Sequence, residues 1–301
     1  MRPAVSAAGV ALAAVCLLVC RPAGEAGTAG AAAPGGQTPS ESGRAAGGRG
    51  AAAARPASPP AVRDLAVRVV ASYPHDAGSY TQGLELDGGV LFESAGQYGE
   101  SSVRRVELET GAVLLARGLP RDLFGEGLTL LPAGAGRPAR LVQLTWQEGR
   151  ALVWDAAELE PAGEHAYEGE GWGLCLDGGG PGPRLVMSDG SAYLTFRDPE
   201  TFAVTGGVPV TLGGAPLAGL NELECVGGSA WANVYPTERL IEVDLATGRV
   251  TAVVDASGLL SAFEAPRAEV LNGIAHDPED GTFLLTGKLW PRLFRVELVE
   301  R

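Results

Sequence analysis

From Ala61 onward the chain is a succession of short apolar runs, each broken within a few residues by Gly, Asp-Gly or Pro. Within the runs apolar and polar positions alternate, as a strand with one buried face requires, and the three-and-four spacing of a long helix is absent. The pattern predicts an all-β chain. One unit recurs, an alternating strand closed by an acidic residue and a turn: Val103–Glu107, Ala151–Asp155, Ala192–Asp198, Leu240–Asp244 and Leu293–Glu297. The acidic residues at 107, 155, 198, 244 and 297 are spaced by 48, 43, 46 and 53. That period suits four short strands, so five copies predict a five-bladed β-propeller.

In the first blade the strands are expected at Leu84–Asp87, Val90–Ser94, Ser102–Leu108 and Ala112–Arg117, with Asp87-Gly88-Gly89 turning the first hairpin. The last copy runs out of chain after its third strand, near Leu298, while the strand Leu65–Ser72 precedes the first blade with no sheet of its own. It is therefore expected to close the last blade, which leaves no open edge at the junction.

The residues opening the innermost strand of each copy are Gln82, Glu126, Trp172, Asn221 and Asn272, spaced by 44, 46, 49 and 51. Equivalent positions of a propeller lie at one height, so these side chains should ring one mouth of the central channel. Each second strand runs back to that mouth, adding Glu93-Ser94, Thr145-Trp146, Ser188-Asp189, Asn233-Val234-Tyr235 and Gly287-Lys288. A rim that gathers a carboxylate, amides, a lysine and aromatics is the default binding site.

Glu126 sits between two glycines in Phe124-Gly125-Glu126-Gly127-Leu128-Thr129, directly before an apolar run. A charge at the mouth of a buried strand costs free energy unless it is paired, neutralised or used. Burial against Phe124 and Trp146 would raise its pKa toward the range of a proton-moving group.

Composition divides the rest. Arg2 is followed by an uncharged run of 16 residues, Ala4 to Val19, too short to span a bilayer and shaped like a secretory signal (1–20). Cys20 offers a lipidation alternative, the only route by which a membrane anchor is expected. Residues 21–60 are almost wholly Ala, Gly, Pro, Ser and Thr and read as a flexible tether. Residues 61–301 then form the propeller domain, exported to the periplasm or secreted, and expected to be a monomer.

With 18 basic and 34 acidic residues this domain carries a net charge of −16, which disfavours nucleic acid and suits a cationic substrate. The three histidines are far apart and no paired-Cys spacing is present, so no metal site is expected. Cys175 and Cys225 each lie in an apolar strand, and buried free thiols are expected, although neighbouring inner strands could bring them near.

The ordered blocks Tyr80-Thr81-Gln82-Gly83-Leu84, Phe124-Gly125-Glu126-Gly127-Leu128-Thr129, Gln143-Leu144-Thr145-Trp146, Glu170-Gly171-Trp172-Gly173-Leu174, Leu220-Asn221-Glu222-Leu223-Glu224, Ala232-Asn233-Val234-Tyr235 and Thr286-Gly287-Lys288 resemble the plant and bacterial glutaminyl-peptide cyclotransferases. The resemblance implies a five-bladed propeller that needs no cofactor or metal. It implies cyclisation of N-terminal glutamine, in peptides or proteins, to pyroglutamate with loss of ammonia. By the same resemblance Glu126 would shuttle the proton, while Gln82, Asn221 and Lys288 would bind the amide and polarise the oxyanion. Trp146 and Trp172 would wall the pocket, with Phe124 and Tyr235 beside them. Tyr235 departs from the family, which usually has Trp there. Two rival readings use the same rim: a non-catalytic peptide-binding propeller, and a metal-dependent lactonase-type hydrolase with Glu126 and the asparagines as calcium ligands.

Overall fold

The computed structural model describes residues 61–134, 136–180 and 182–301. The expected signal segment 1–20, the tether 21–60 and Cys20 lie outside the described residues. Strands carry nearly all the regular structure, in a β-propeller-like arrangement, and the helical content among the described residues is one 3-10 turn, Ala265–Arg267.

A long strand β1 (Arg63–Pro74) comes first. Three separate four-stranded meanders follow. These are β2 (Thr81–Asp87), β3 (Val90–Ala95), β4 (Ser102–Glu107), β5 (Val113–Gly118); β6 (Gly125–Leu131), β7 (Arg140–Thr145), β8 (Arg150–Asp155), β9 (Pro161–Ala166); and β10 (Leu174–Asp177), β11 (Arg184–Met187), β12 (Tyr193–Arg197), β13 (Val204–Pro209). A short pair, β14 (Thr211–Leu212) and β15 (Ala215–Pro216), leads into β16 (Leu220–Val226), β17 (Ser229–Val234), β18 (Arg239–Asp244) and β19 (Arg249–Asp255). The chain ends with β20 (Leu271–Asp277), β21 (Thr282–Gly287) and β22 (Arg292–Glu300).

β1 runs antiparallel along β22 from Leu65↔Glu300 to Pro74↔Arg292. Its first residues also pair in parallel with β19, from Arg63↔Ala252 to Ala66↔Asp255. That second pairing was not expected, and it welds the last two meanders into one ten-stranded sheet.

The core is distributed between sheets. Leu128, Leu141 and Trp154 pack against Phe92 and Val103, and Leu174 and Met187 against Val142 and Leu144. The last sheet returns to the first: Ala275, Leu284 and Leu293 pack on Leu84, Leu91 and Val106. Each large apolar side chain so buried contributes about 1.5–3 kcal/mol. The inner strands β2, β6, β10, β16 and β20 accordingly neighbour one another in that order, β20 adjoining β2 again.

The cysteines need a correction. Cys175 on β10 and Cys225 on β16 are joined in a disulfide, Cα atoms 5.4 Å apart, instead of remaining free thiols. Apolar neighbours pointed to burial, which holds for Cys175 while Cys225 is half-buried, but not to a partner. The two inner strands lie side by side, and that adjacency brings residues 50 apart within reach. Closing such a loop is worth about 4 kcal/mol on a chain-entropy basis.

Candidate active site

Four of the five innermost strands, β2, β6, β16 and β20, take in the polar residue before their apolar run. β2 starts at Thr81, not Leu84, because its ladder continues past an irregularity that lifts one residue out. Pairing passes from Thr81↔Ala95 to Gly83↔Ser94, skipping Gln82. On β6 it jumps from Gly125↔Thr145 to Leu128↔Gln143 across Glu126, on β16 from Leu220↔Val234 to Leu223↔Ala232 across Asn221, and on β20 from Leu271↔Gly287 to Ile274↔Leu285 across Asn272. A β-bulge frees a residue from the ladder and re-aims its side chain, so one device repeated on four strands presents four polar groups. Trp172 lies just before β10, its N–H on the Ser188 carbonyl at 3.0 Å.

The residue after each bulge explains the glycines. A Cβ on Gly83 would sit 2.6 Å from the Leu128 nitrogen, and one on Gly127 would sit 2.7 Å from the Leu174 nitrogen. β16 has Glu222 at that position instead. Its buried carboxylate spans the gap, accepting the N–H groups of Leu84 at 3.1 Å and Ile274 at 2.7 Å.

Glu126 is 5% exposed. Its Oε1 accepts one hydrogen bond, from Gln82 Nε2 at 3.0 Å, and Gln82 Oε1 in turn accepts from Asn272 Nδ2 at 3.1 Å. Burial pushes the Glu126 carboxyl well above the usual range; the Lys288 ammonium pulls it down, and the carboxylates of Glu170 and Glu148 push it up further. Lys288, 5% exposed, is drawn below its ordinary value by burial, against the pull of Glu126 and Glu269. Its Nζ lies 4.8 Å from the centroid of the Tyr80 ring and 5.7 Å from that of Tyr235, distances at which a ring face attracts a cation.

Aromatic contacts close the circuit. Phe124 meets Trp146 edge-on with centroids 5.7 Å apart, and Trp172 meets Tyr235 at 5.8 Å. Asn221 adjoins Trp172 through its backbone: its carbonyl accepts the Ser188 hydroxyl at 2.7 Å, and that hydroxyl accepts the Gly173 N–H at 2.7 Å. All eight residues singled out by spacing and resemblance, Gln82, Phe124, Glu126, Trp146, Trp172, Asn221, Tyr235 and Lys288, therefore share one end of the inner strands. Three amide atoms of this rim, Asn221 Oδ1, Asn233 Nδ2 and Asn272 Oδ1, are buried without a hydrogen-bond partner. Such atoms cost free energy unless something pairs them, which suits a site that binds a polar group.

Sequence reasoning passed over Tyr80, Glu170 and Glu269. The Tyr80 hydroxyl is pushed up by burial and by the negative charge of Glu269. Tyr80 and Glu170 lay inside blocks already noted for their neighbours Gln82 and Trp172, and that adjacency was the available signal. Among the described residues no group of three or more His, Cys, Asp or Glu side chains is placed to hold a metal ion.

A family model described as glutamine cyclotransferase matches residues 45–298. An Arabidopsis thaliana protein named glutaminyl-peptide cyclotransferase is 38% identical over 240 residues, covering 77% of this chain and 71% of its own. The crystal structure of a Myxococcus xanthus glutaminyl cyclase superposes with a TM-score of 0.69 at 38% identity, covering 80% of this chain and 100% of that one.

Proposed function

This chain belongs to the glutamine cyclotransferase family, and on that premise we propose that it cyclises N-terminal glutamine of peptides and proteins to pyroglutamate, with Glu126 as the proton shuttle. The observation that carries the assignment of Glu126 is its setting: a buried carboxyl on a bulge, tethered by a single neutral amide and raised in pKa. A carboxyl raised in this way by burial holds its proton more tightly than an exposed one, which suits it to take a proton and return it.

In the reaction the substrate α-amine attacks the δ-carbon of its own side-chain amide. The C–N bond forms, the carbonyl oxygen becomes an oxyanion, and Glu126 removes the proton from the attacking nitrogen. Glu126 then delivers that proton to the departing amide nitrogen, the C–N bond to it breaks, and ammonia leaves with the charge balance restored. Lys288 and the amides of Gln82 and Asn221 are the groups suited to the oxyanion and the substrate amide. Trp146 and Trp172 hold the side chain folded back on the amine, which supplies proximity. The route uses protein groups alone.

The proposal extends to architecture. Five blades, with β1 closing the last, account for the strand orders and for the return of the final sheet onto the first. Export, to the periplasm or outside the cell, is proposed from the first twenty residues, and the disulfide fits an oxidising compartment.

The test is ammonia release from a glutaminyl dipeptide, with the matching mass loss, by wild type and by Glu126→Gln. The wild type should turn over at a rate unchanged by a chelator, and the variant should not. No release by the wild type would overturn the activity, and equal rates in the two proteins would overturn the role of Glu126.

A further inference from the structure

Glu170 precedes Trp172 by two residues and lies 24 beyond Trp146, yet its side chain touches both. Its Oε2 accepts the Trp146 indole N–H at 2.9 Å and the Trp172 indole N–H at 2.9 Å, while Oε1 accepts Gln147 Nε2 at 2.9 Å. Three donors on one partly exposed carboxylate is more than solvent proximity requires, and two of them are the only hydrogen-bonding atoms those indoles possess.

The backbone is arranged to hold this geometry. Trp146 N–H donates to the Phe124 carbonyl and Gly127 N–H donates to the Trp172 carbonyl, so the two tryptophans are tied to chain positions on either side of Glu126. Gly171 N–H donates to the Trp146 carbonyl. A Cβ at residue 171 would stand 2.3 Å from the Tyr167 hydroxyl and 2.9 Å from the Thr145 carbonyl oxygen, so only glycine lets the chain pass close enough to carry Glu170 between the rings.

We propose that Glu170 is a positioning residue that clamps Trp146 and Trp172 through their indole N–H groups, fixing both walls of the cleft over Glu126 in the orientation that folds the substrate glutamine. The inference rests on the cyclotransferase reading for its substrate but not for the clamp. It adds a second consequence. The charges that act on Glu126 are Glu170, Glu148 and Lys288; the phenols of Tyr80, Tyr98 and Tyr167, raised and so uncharged, also face it, and neutral Gln82 is in contact. The Glu170 carboxylate helps to keep Glu126 protonated to higher pH.

The experiment compares wild type, Glu170→Gln and Glu170→Ala in the full chain, by steady-state turnover of a glutaminyl dipeptide and by tryptophan emission. Three of the five tryptophans, Trp154, Trp231 and Trp290, are buried, so a red shift on loosening reports Trp146 and Trp172. Glu170→Ala removes the acceptor and should raise KM about tenfold, with a smaller change in kcat and a red-shifted emission. Glu170→Gln keeps a carbonyl acceptor without the charge. It should bring KM and emission back to within about twofold of wild type while moving the acid limb of the rate profile to lower pH.

Wild-type KM and emission in Glu170→Ala would overturn the clamp, as would a KM in Glu170→Gln as poor as that in Glu170→Ala. If Glu170→Ala does not fold, Glu170→Asp decides, since it keeps the charge but shortens the reach to the two indole N–H groups. A raised KM with a red-shifted emission supports the clamp, and wild-type values of both sink it. Emission reads the clamp without turnover, so an inactive wild type would refute the activity and leave this inference separately tested.

Discussion

Glu93, at the end of β3, and Glu126, at the start of β6, are both almost wholly buried, at 1% and 5% exposure. The two strands are even tied beside them, since Ser94 Oγ donates to the Glu126 backbone carbonyl. Yet the two carboxyls are opposite in character. Glu93 Oε1 accepts from Ser79 Oγ at 2.6 Å, Thr81 Oγ1 at 2.8 Å and His75 Nε2 at 3.0 Å, with Arg104 3.9 Å from Oε2. Burial pushes its carboxyl up, but His75, Ser79 and Arg104 outweigh that and hold it at about 2. Glu126 has one neutral donor and more negative charge around it than positive. Burial alone therefore fixes neither: the number and charge of the donors decide whether a buried glutamate is a structural anion or a mobile proton site.

The largest test of the contrast is Glu126→Gln. Removing the proton shuttle should lower kcat by about 10²–10⁴-fold. Thermal stability should hold or rise, because an amide carries no charge to desolvate. A variant that both turned over and melted like wild type would erase the distinction.

Glu93→Gln should behave in the reverse sense. The depression of Glu93 from 4.5 to about 2 corresponds to about 3 kcal/mol at neutral pH, and the substitution removes the anion that His75, Ser79 and Arg104 surround. The melting temperature should fall while kcat changes little.

The pH dependence separates the pair further. A depressed carboxyl stabilises above its unfolded value, so the wild type should lose stability as pH falls from about 4.5 toward about 2, a loss that Glu93→Gln lacks. His75 is drawn down by burial but raised overall by Glu93, so its contribution is present below its unfolded value and fades as pH rises through the folded one. Glu126, raised, binds its proton more tightly when folded, and so subtracts stability as pH rises above the ordinary carboxylate range. Melting curves of the three proteins across acid pH read these signs, and a Glu93→Gln curve parallel to wild type would refute the anchor.

The positions of Glu126 and its partners were legible because the repeat is carried by covalent spacing: Gln82, Glu126, Asn221 and Asn272 recur with the strands that bear them. The bulges were not, since whether Gln82 sits in the ladder or out of it depends on the register with β3, which no single strand encodes. Glu93 read as a rim residue because its donors come from a separate loop, His75 and Ser79, and their convergence is tertiary. The parallel pairing of β1 with β19 carries no turn signal at all. Whether Cys175 and Cys225 pair stayed open for the same reason, as apolar flanks favour buried thiols and adjacent inner strands allow a bond without requiring one.

Lys288→Met sharpens the contrast from the cation's side. Glu93 has two basic neighbours and Glu126 principally this one. Without it the Glu126 carboxyl should rise further, moving the acid limb of kcat/KM to higher pH and lowering the plateau about tenfold. An unmoved limb would mean that Lys288 does not act on Glu126.

Tyr235→Trp should have the smallest effect, and its size follows from what Tyr235 touches. The ring is 44% exposed, meets Trp172 edge-on at 5.8 Å and faces Lys288 Nζ at 5.7 Å. An indole there keeps the aromatic wall and offers a stronger face to the ammonium, a gain smaller than the about 0.5–1 kcal/mol of a whole exposed cation–ring contact. That bounds the change in KM to at most about two- to fivefold, with kcat, the acid limb and the melting temperature left where they are. A shift in the acid limb comparable to that of Lys288→Met would show that Tyr235 sets the charge state of Lys288. The control of Glu126 would then extend outward from the bulge to the exposed edge of the cleft.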